Sequence, residues 1–248
     1  MKLLLYNVCY CMGVGKGIKD YVTKNAHLHL RKKALENIST FIKKQSPDIV
    51  CLVEIDDGSF RAGKIDQAEF IKETLDFKSM ACFCKYGKKS ALSKLPYFHH
   101  LCNSVMSKYK FSSIKEHFLK RGNKKLVIEV EIDHGKGKLS IFLVHLALGK
   151  RARRKQIKEI AKFVNSNNNP KIVLGDFNTL SGEEEINLFV EETDLMVAQH
   201  KGKTFPAWKP KKSLDYVLFS KEIKIKKTIV PKVKFSDHLP MIVEFDIQ

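Results

Sequence analysis

Eight polar residues stand at the edges of apolar runs along this chain, and their types make a chemically complete set. Asn7 follows Leu3-Leu4-Leu5-Tyr6, Glu54 follows Ile49–Val53, and His145 ends the run Leu139–Val144. Asp176 and Asn178 follow Ile172-Val173-Leu174-Gly175, Asp215 opens a run that continues to Phe219, and Asp237-His238 precede Met241–Phe245. Taken singly, an Asp, Asn or Glu beside a strand is most often a turn former or helix cap, and a single His a hydrogen-bonded core residue. Turn formation does not explain why hard oxygen ligands (Glu54, Asp176, Asp237), amides (Asn7, Asn178) and two imidazoles all collect at such places. Mg²⁺ takes octahedral oxygen coordination, with one or two carboxylates and a substrate phosphate in its shell. Hydrolysis of a phosphodiester also needs a base for the attacking water and donors for the developing negative charge. The set supplies each part.

These residues can meet only if the runs are strands whose ends open onto one crevice, as the carboxyl ends of α/β sheets do. Apolar runs predict strands at Lys2–Val8, Ile49–Val53, Met80–Cys84, Ser104–Ser107, Leu126–Ile132, Leu139–His145, Lys171–Gly175, Leu214–Ser220, Ile223–Val230 and Met241–Phe245. Helical periodicity predicts helices at Leu30–Lys44, Gln67–Leu75, 150–164 and Glu183–Val190, with a loop over 14–29 and a hairpin turn at His134–Gly137. Strands and helices alternate without a strict βαβ series. That pattern favours a layered α/β domain with mixed sheets over a doubly wound parallel one. Without repeats, low-complexity tracts or a linker, residues 1–248 read as a single domain.

Composition narrows the class. With 44% hydrophobic and 29% charged residues the chain is a folded protein and not a disordered one. No apolar run approaches the roughly 18–20 residues needed to span a bilayer. Tyr6-Asn7 interrupts the opening Leu3-Leu4-Leu5 before a signal-peptide core can form. The expected location is the cytoplasm, with export that leaves no N-terminal mark still open. Six cysteines, at 9, 11, 51, 82, 84 and 102, make no disulfide framework. Cys9/Cys11 and Cys82/Cys84 would each share a strand face, but zinc ligands usually come as C-x₂₋₄-C, so buried reduced thiols are expected. The net charge is +18, carried by 39 Lys and only six Arg. Such a charge attracts a polyanion, nucleic acid or an anionic membrane, without identifying it, and a Lys excess spread along the chain serves solubility equally well.

The segments Leu5-Tyr6-Asn7-Val8, Asp48–Glu54, Val144–Gly149, Leu174-Gly175-Asp176-Phe177-Asn178, Leu214–Val217 and Phe235–Pro240 resemble the ordered motifs of the endonuclease/exonuclease/phosphatase (DNase I-like) superfamily, in its small bacterial-type metal-dependent hydrolase branch. G-D-F-N and S-D-H-x-P are weak singly; six motifs in register, from residue 5 to 240, are strong. The resemblance implies a four-layer α/β sandwich, two mixed β-sheets face to face with helices outside. It implies Mg²⁺, with Mn²⁺ as a substitute, on Glu54 with Asn7 and Asp237. Asp176 would orient or activate the attacking water or hold a second metal, and Asn178 and His145 would bind the phosphoryl oxygens. His238 would be the acid/base, oriented by Asp215. Asn103, in Cys102-Asn103-Ser104-Val105-Met106-Ser107, would support the site. No acidic partner for His145 can be matched.

The expected activity is metal-dependent hydrolysis of phosphodiesters, most readily in nucleic acid. A lipid or small-molecule phosphodiesterase at a membrane surface and a non-catalytic polyanion binder that kept the fold are the alternatives. Lys150, Arg151, Arg153 and Arg154 open a helix, where cations oppose its dipole, and read as a substrate-tracking patch or a solvated face. Trp208, between two prolines in a basic loop, could stack on a base, enter a lipid interface or fill a gap under the loop. No obligate protein partner is indicated, and a monomer is expected.

Overall fold

The computed structural model describes residues 1–14, 17, 19, 32–85, 98–122, 126–135, 137–180 and 182–248, so most of the expected 14–29 loop lies outside the described residues. Strand β1 (Lys2–Asn7) shows how the layers arise. Its alternate side chains face two different cores, Leu3 and Leu5 on one side and Leu4 and Tyr6 on the other. A strand buried on both faces reads as a continuous apolar run, which is why the sequence Leu-Leu-Leu-Tyr needs no polar alternation.

The first sheet joins β1 to β2 (Ile49–Asp56), β3 (Ser79–Cys84), β4 (Leu101–Ser107), β11 (Ile223–Ile229) and β12 (Met241–Ile247) in the order β11-β12-β1-β2-β4-β3. The second holds β5 (Phe111–Phe118), β6 (Leu126–Asp133), β7 (Lys138–His145), β8 (Lys171–Asp176), β9 (Met196–Val197) and β10 (Asp215–Phe219) in the order β5-β6-β7-β8-β10-β9. The two pack face to face: Leu3, Leu5, Cys51, Val53 and Val105 from one meet Ile128, Val130, Ile141, Leu143, Ile172 and Leu174 from the other. Helices α1 (Lys32–Gln45) and α2 (Gln67–Leu75) cover the outer face of the first sheet through Leu35, Ile38, Ile42, Ala68 and Ile71. Helices α3 (Lys150–Asn165) and α4 (Glu184–Thr193) cover the second through Ile157, Ile160, Val164, Ile186 and Phe189. The expected four-layer sandwich is what the chain forms. Among the described residues no helix is long and apolar enough to cross a membrane.

Each sheet has one parallel pair near its centre, β1 with β2 and β7 with β8, bridged by crossover helices α1 and α3. All other pairings are antiparallel. Parallel neighbours end on the same side, so Asn7 stands at the carboxyl end of β1 and Glu54 near that of β2. His145 and Asp176 face each other in register at the ends of β7 and β8. Two elements escape the sequence reading. β5 is an edge strand of Ser, Lys, Glu and His with Ile114 and Phe118 exposed, and β9 is two residues long. Neither has a buried face from which a period could be read.

Candidate active site

The strand ends converge on one buried polar cluster. Gly175 makes the close approach of β7 and β8 possible: at φ +147°, a Cβ there would lie 1.8 Å from Val144 O. Only glycine fits, and the register that sets His145 opposite Asp176 depends on it. His145 Nε2 lies 3.5 Å from Asp176 Oδ2 and 3.8 Å from Glu54 Oε1. Its acidic neighbours are therefore Asp176 and Glu54, the point at which sequence matching stopped. Asn7 Nδ2 donates to Asp176 Oδ2 at 3.1 Å, and its Oδ1 accepts Cys9 N–H. Asp176 Oδ1 accepts Asn178 N–H at 2.9 Å, which turns the chain sharply, with Asn178 at φ +51°. Asn178 Nδ2 donates one hydrogen to Leu146 O, so its other amide hydrogen is the one available to a ligand.

Glu54 also has left-handed backbone, φ +60°, at a bulge where the β2–β4 register slips between Leu52 and Ile55. A bulge re-aims a side chain, and this one is pinned by Asn103, whose Oδ1 accepts Glu54 N–H at 3.2 Å. A non-glycine residue held there stores of order 1 kcal/mol or more of strain. Lys85, buried at the end of β3, donates to Glu54 Oε1 at 3.3 Å and to Tyr10 Oη at 2.9 Å. Nothing marked Lys85 among 39 lysines. The register of β3 on β4 brings it beside the site.

The last segment closes the cluster. His238 Nδ1 meets Asp215 Oδ2 at 2.8 Å, and its Nε2 lies 3.9 Å from Asp176 Oδ2. Burial opposes a charged imidazole. The charge and hydrogen bond of Asp215, with Asp176 and Asp237 behind it, outweigh burial and raise the His238 pKa to about 10. Asp237 is buried beside it, and burial first, then the Glu54 charge, push its carboxyl above the ordinary range. Asp215 Oδ1 is buried without a hydrogen-bond partner. Two hydroxyls missed by sequence reading hold these pieces together. Ser236 Oγ donates to Asn7 O at 2.7 Å, and Thr204 Oγ1 accepts Leu214 N–H at 3.1 Å.

Glu54, Asp176, Asp215 and Asp237 thus share one largely buried region, with Lys85, His145 and His238 among their neighbours. Carboxylate and amide oxygens gathered in this way suit a hard divalent cation such as Mg²⁺ or Mn²⁺. Glu54 and Asp237 could hold it, with the remaining lone pair of Asn7 Oδ1.

The basic patch needs one correction. Arg153 is buried, not at the surface: Nε and Nη2 bind Glu185 at 2.8 and 3.1 Å, and Nη1 donates to Ala147 O and Leu148 O. It holds the turn after His145 and is not placed to meet substrate. Its spacing to Ile157, Ile160 and Val164 is that of the buried stripe of α3, a signal the sequence carries. Lys150 and Arg154 are exposed and pair with Glu184; Arg151 is exposed. Trp208 is half-buried in a loop tied to the His238 segment by Ala207 N–H to Asp237 O and Leu239 N–H to Thr204 O.

The sequence profile described as the Endonuclease/Exonuclease/phosphatase family matches residues 4–238. No curated protein sequence matches the chain. Among solved structures, a functionally unknown conserved protein from Enterococcus faecalis V583 is 16% identical with TM-score 0.75, each chain covered in full. The mannosyl-6-phosphatase of Bacteroides thetaiotaomicron VPI-5482 is 15% identical with TM-score 0.72, again over all of both chains. The human Nocturnin catalytic domain with bound sulfate is 19% identical with TM-score 0.72, covering 100% of this chain and 94% of its own. These neighbours share the fold. With the profile match over nearly the whole length, the chain belongs to the endonuclease/exonuclease/phosphatase family.

Proposed function

We propose that this protein is a metal-dependent phosphodiesterase acting on nucleic acid. The observation that carries the reading is the convergence of Glu54, Asp176, Asp215 and Asp237 with His145 and His238 at the strand ends. A divalent cation on Glu54, Asp237 and Asn7 would neutralise phosphoryl charge and supply Lewis acidity. Asp176, its Oδ2 oriented by Asn7, takes the proton of the attacking water. His145 and the spare amide hydrogen of Asn178 donate to the phosphoryl oxygens as charge builds on them. His238 carries its proton at neutral pH because Asp215 stabilises the imidazolium, so it enters as the acid. The charge of +18 and the exposed Lys150, Arg151 and Arg154 favour a polyanionic substrate.

A lipid phosphodiester is the second reading, favoured by one observation. Phe60 and Leu148, 79% and 63% exposed, and Leu180 sit on the loops that follow β2, β7 and β8, the strands carrying Glu54, His145 and Asp176. Apolar side chains on those loops suit an acyl-chain boundary.

The test is hydrolysis of bis-p-nitrophenyl phosphate, plasmid DNA and sphingomyelin vesicles with Mg²⁺, with Mn²⁺ and with EDTA. Metal-dependent cleavage of the first two, lost in His238→Ala, is the expected result. Cleavage of sphingomyelin without DNA would move the substrate to the lipid class. Cleavage that survives EDTA or His238→Ala would remove the mechanism.

A further inference from the structure

A second cluster of ligand-type side chains lies at the same end of the first sheet, on its outer face, and the phosphoryl chemistry does not use it. Strands β3 and β4 pair with Cys84 opposite Cys102. Lys85 N–H bonds to Leu101 O, so the pair on the next residues, Cys84 and Cys102, is the non-hydrogen-bonded kind, whose side chains stand closest. Their sulfurs lie 2.9 Å apart. Asp57, just beyond β2, turns Oδ2 to Cys84 Sγ at 3.6 Å and gives Oδ1 to His100 Nδ1 at 2.5 Å. The ligand atoms of Asp57, Cys84 and Cys102 all fall within 4.8 Å of one another. Cys82, two residues along the same face, also lies in side-chain contact with Cys102.

We infer that Asp57, Cys84 and Cys102 form a binding site for Zn²⁺, separate from the oxygen-lined centre at Glu54. Two thiolates and one carboxylate oxygen are a borderline-soft set that selects Zn²⁺ over Mg²⁺. Opening the thiol pair by less than about 1 Å admits a tetrahedral ion with Zn–S bonds of about 2.3 Å. His100 fixes the carboxylate from behind, leaving Oδ2 for the metal, in the manner by which outer partners orient metal ligands. Asp57 and His100 are 30% and 28% exposed, which gives the ion a way in from solvent. Binding releases the two thiol protons: Zn²⁺ plus two S–H groups gives two Zn–S bonds and two H⁺. The ligands come from three elements of the first sheet, so counting C-x₂₋₄-C along the chain cannot find them. The inference does not depend on the substrate reading.

The site touches the candidate active site through its sequence neighbours. Lys85 follows Cys84 and Asn103 follows Cys102, and both bind Glu54. A Zn²⁺ ion across β3 and β4 would fix the two residues that aim Glu54.

The experiment is titration of the reduced full-length protein with Co²⁺ as the spectroscopic substitute, followed by displacement with Zn²⁺ and measurement of bound zinc. One equivalent should give a thiolate-to-cobalt charge-transfer band that Zn²⁺ abolishes and excess Mg²⁺ does not. Cys84→Ser and Cys102→Ser should each lose the band while circular dichroism is retained. His100→Ala, which removes no ligand, should weaken binding by about 10–100-fold. Absence of the band in reduced wild type would overturn the site, as would a band unchanged in Cys84→Ser. Recovery of a Cys84–Cys102 disulfide in protein that binds no zinc would overturn it too.

Discussion

Two buried charged clusters lie a few residues apart and are built on opposite rules. Between α3 and α4, Arg153 and Glu185 are each 1% exposed and match one another, two nitrogens to two oxygens, with the remaining donors on Ala147 O and Leu148 O. At the strand ends, four carboxylates crowd together, one oxygen of Asp215 has no partner, and burial, then the Glu54 charge, push the Asp237 carboxyl up. A balanced pair is complete in the folded chain and has nothing left to offer a ligand. An unbalanced one costs stability unless something arrives to complete it, and such sites cluster at function. Burial and charge alone do not separate the two; satisfaction does.

The comparison can be broken in several ways. Gly175→Ala should have the largest effect, since its Cβ would overlap Val144 O. Loss of more than about 4 kcal/mol, read from urea midpoints or as failure to fold, is expected. His238→Ala should lower kcat by about 10²–10⁴-fold and, because it strands the buried Asp215 carboxylate, should also lower the melting temperature in the absence of metal. Arg153→Met should leave kcat near wild type while costing about 3–5 kcal/mol by stranding Glu185, and Arg153→Met/Glu185→Leu should restore much of it. A raised KM at unchanged stability in Arg153→Met would return that residue to the substrate surface. The smallest effect should be a gain. The raised Asp237 pKa means its stabilising contribution is present below the unfolded carboxylate value and lost as pH rises through the folded one. Asp237→Asn should therefore melt a few degrees higher than wild type at neutral pH without metal, and Mg²⁺ should stabilise it less.

Most of the fold was legible because the central strands of both sheets are buried on two faces and so are apolar runs ending in a polar residue. α2 was found to the residue from its periodicity, and Asp66 caps it in the structure by accepting Glu69 N–H. β5 was not legible because its burial comes from one neighbour on one edge. The candidate site residues at run ends were legible by type; their partners were not. The pairing of Asp215 with His238 was implied by the family resemblance alone, whereas that Lys85 reaches Glu54 or that Arg153 finds Glu185 is decided by strand register and helix packing across 31 and 32 residues. One-dimensional spacing holds no record of such meetings.

The pairing of β1 has a consequence for how the molecule comes into being. Its two neighbours are β2, made soon after it, and β12, in which Leu3 meets Val243 and Leu4 meets Ile242. During synthesis one side of Leu3-Leu4-Leu5 must wait, its backbone donors unpaired, until Met241–Glu244 have emerged. Such long-range closure slows folding and leaves an apolar edge open to other chains. Asp237 and His238 arrive in the same final stretch, and Ser236 then fastens them to Asn7. Until then the nascent chain keeps that apolar edge open, and its candidate active site is assembled only as the first sheet closes.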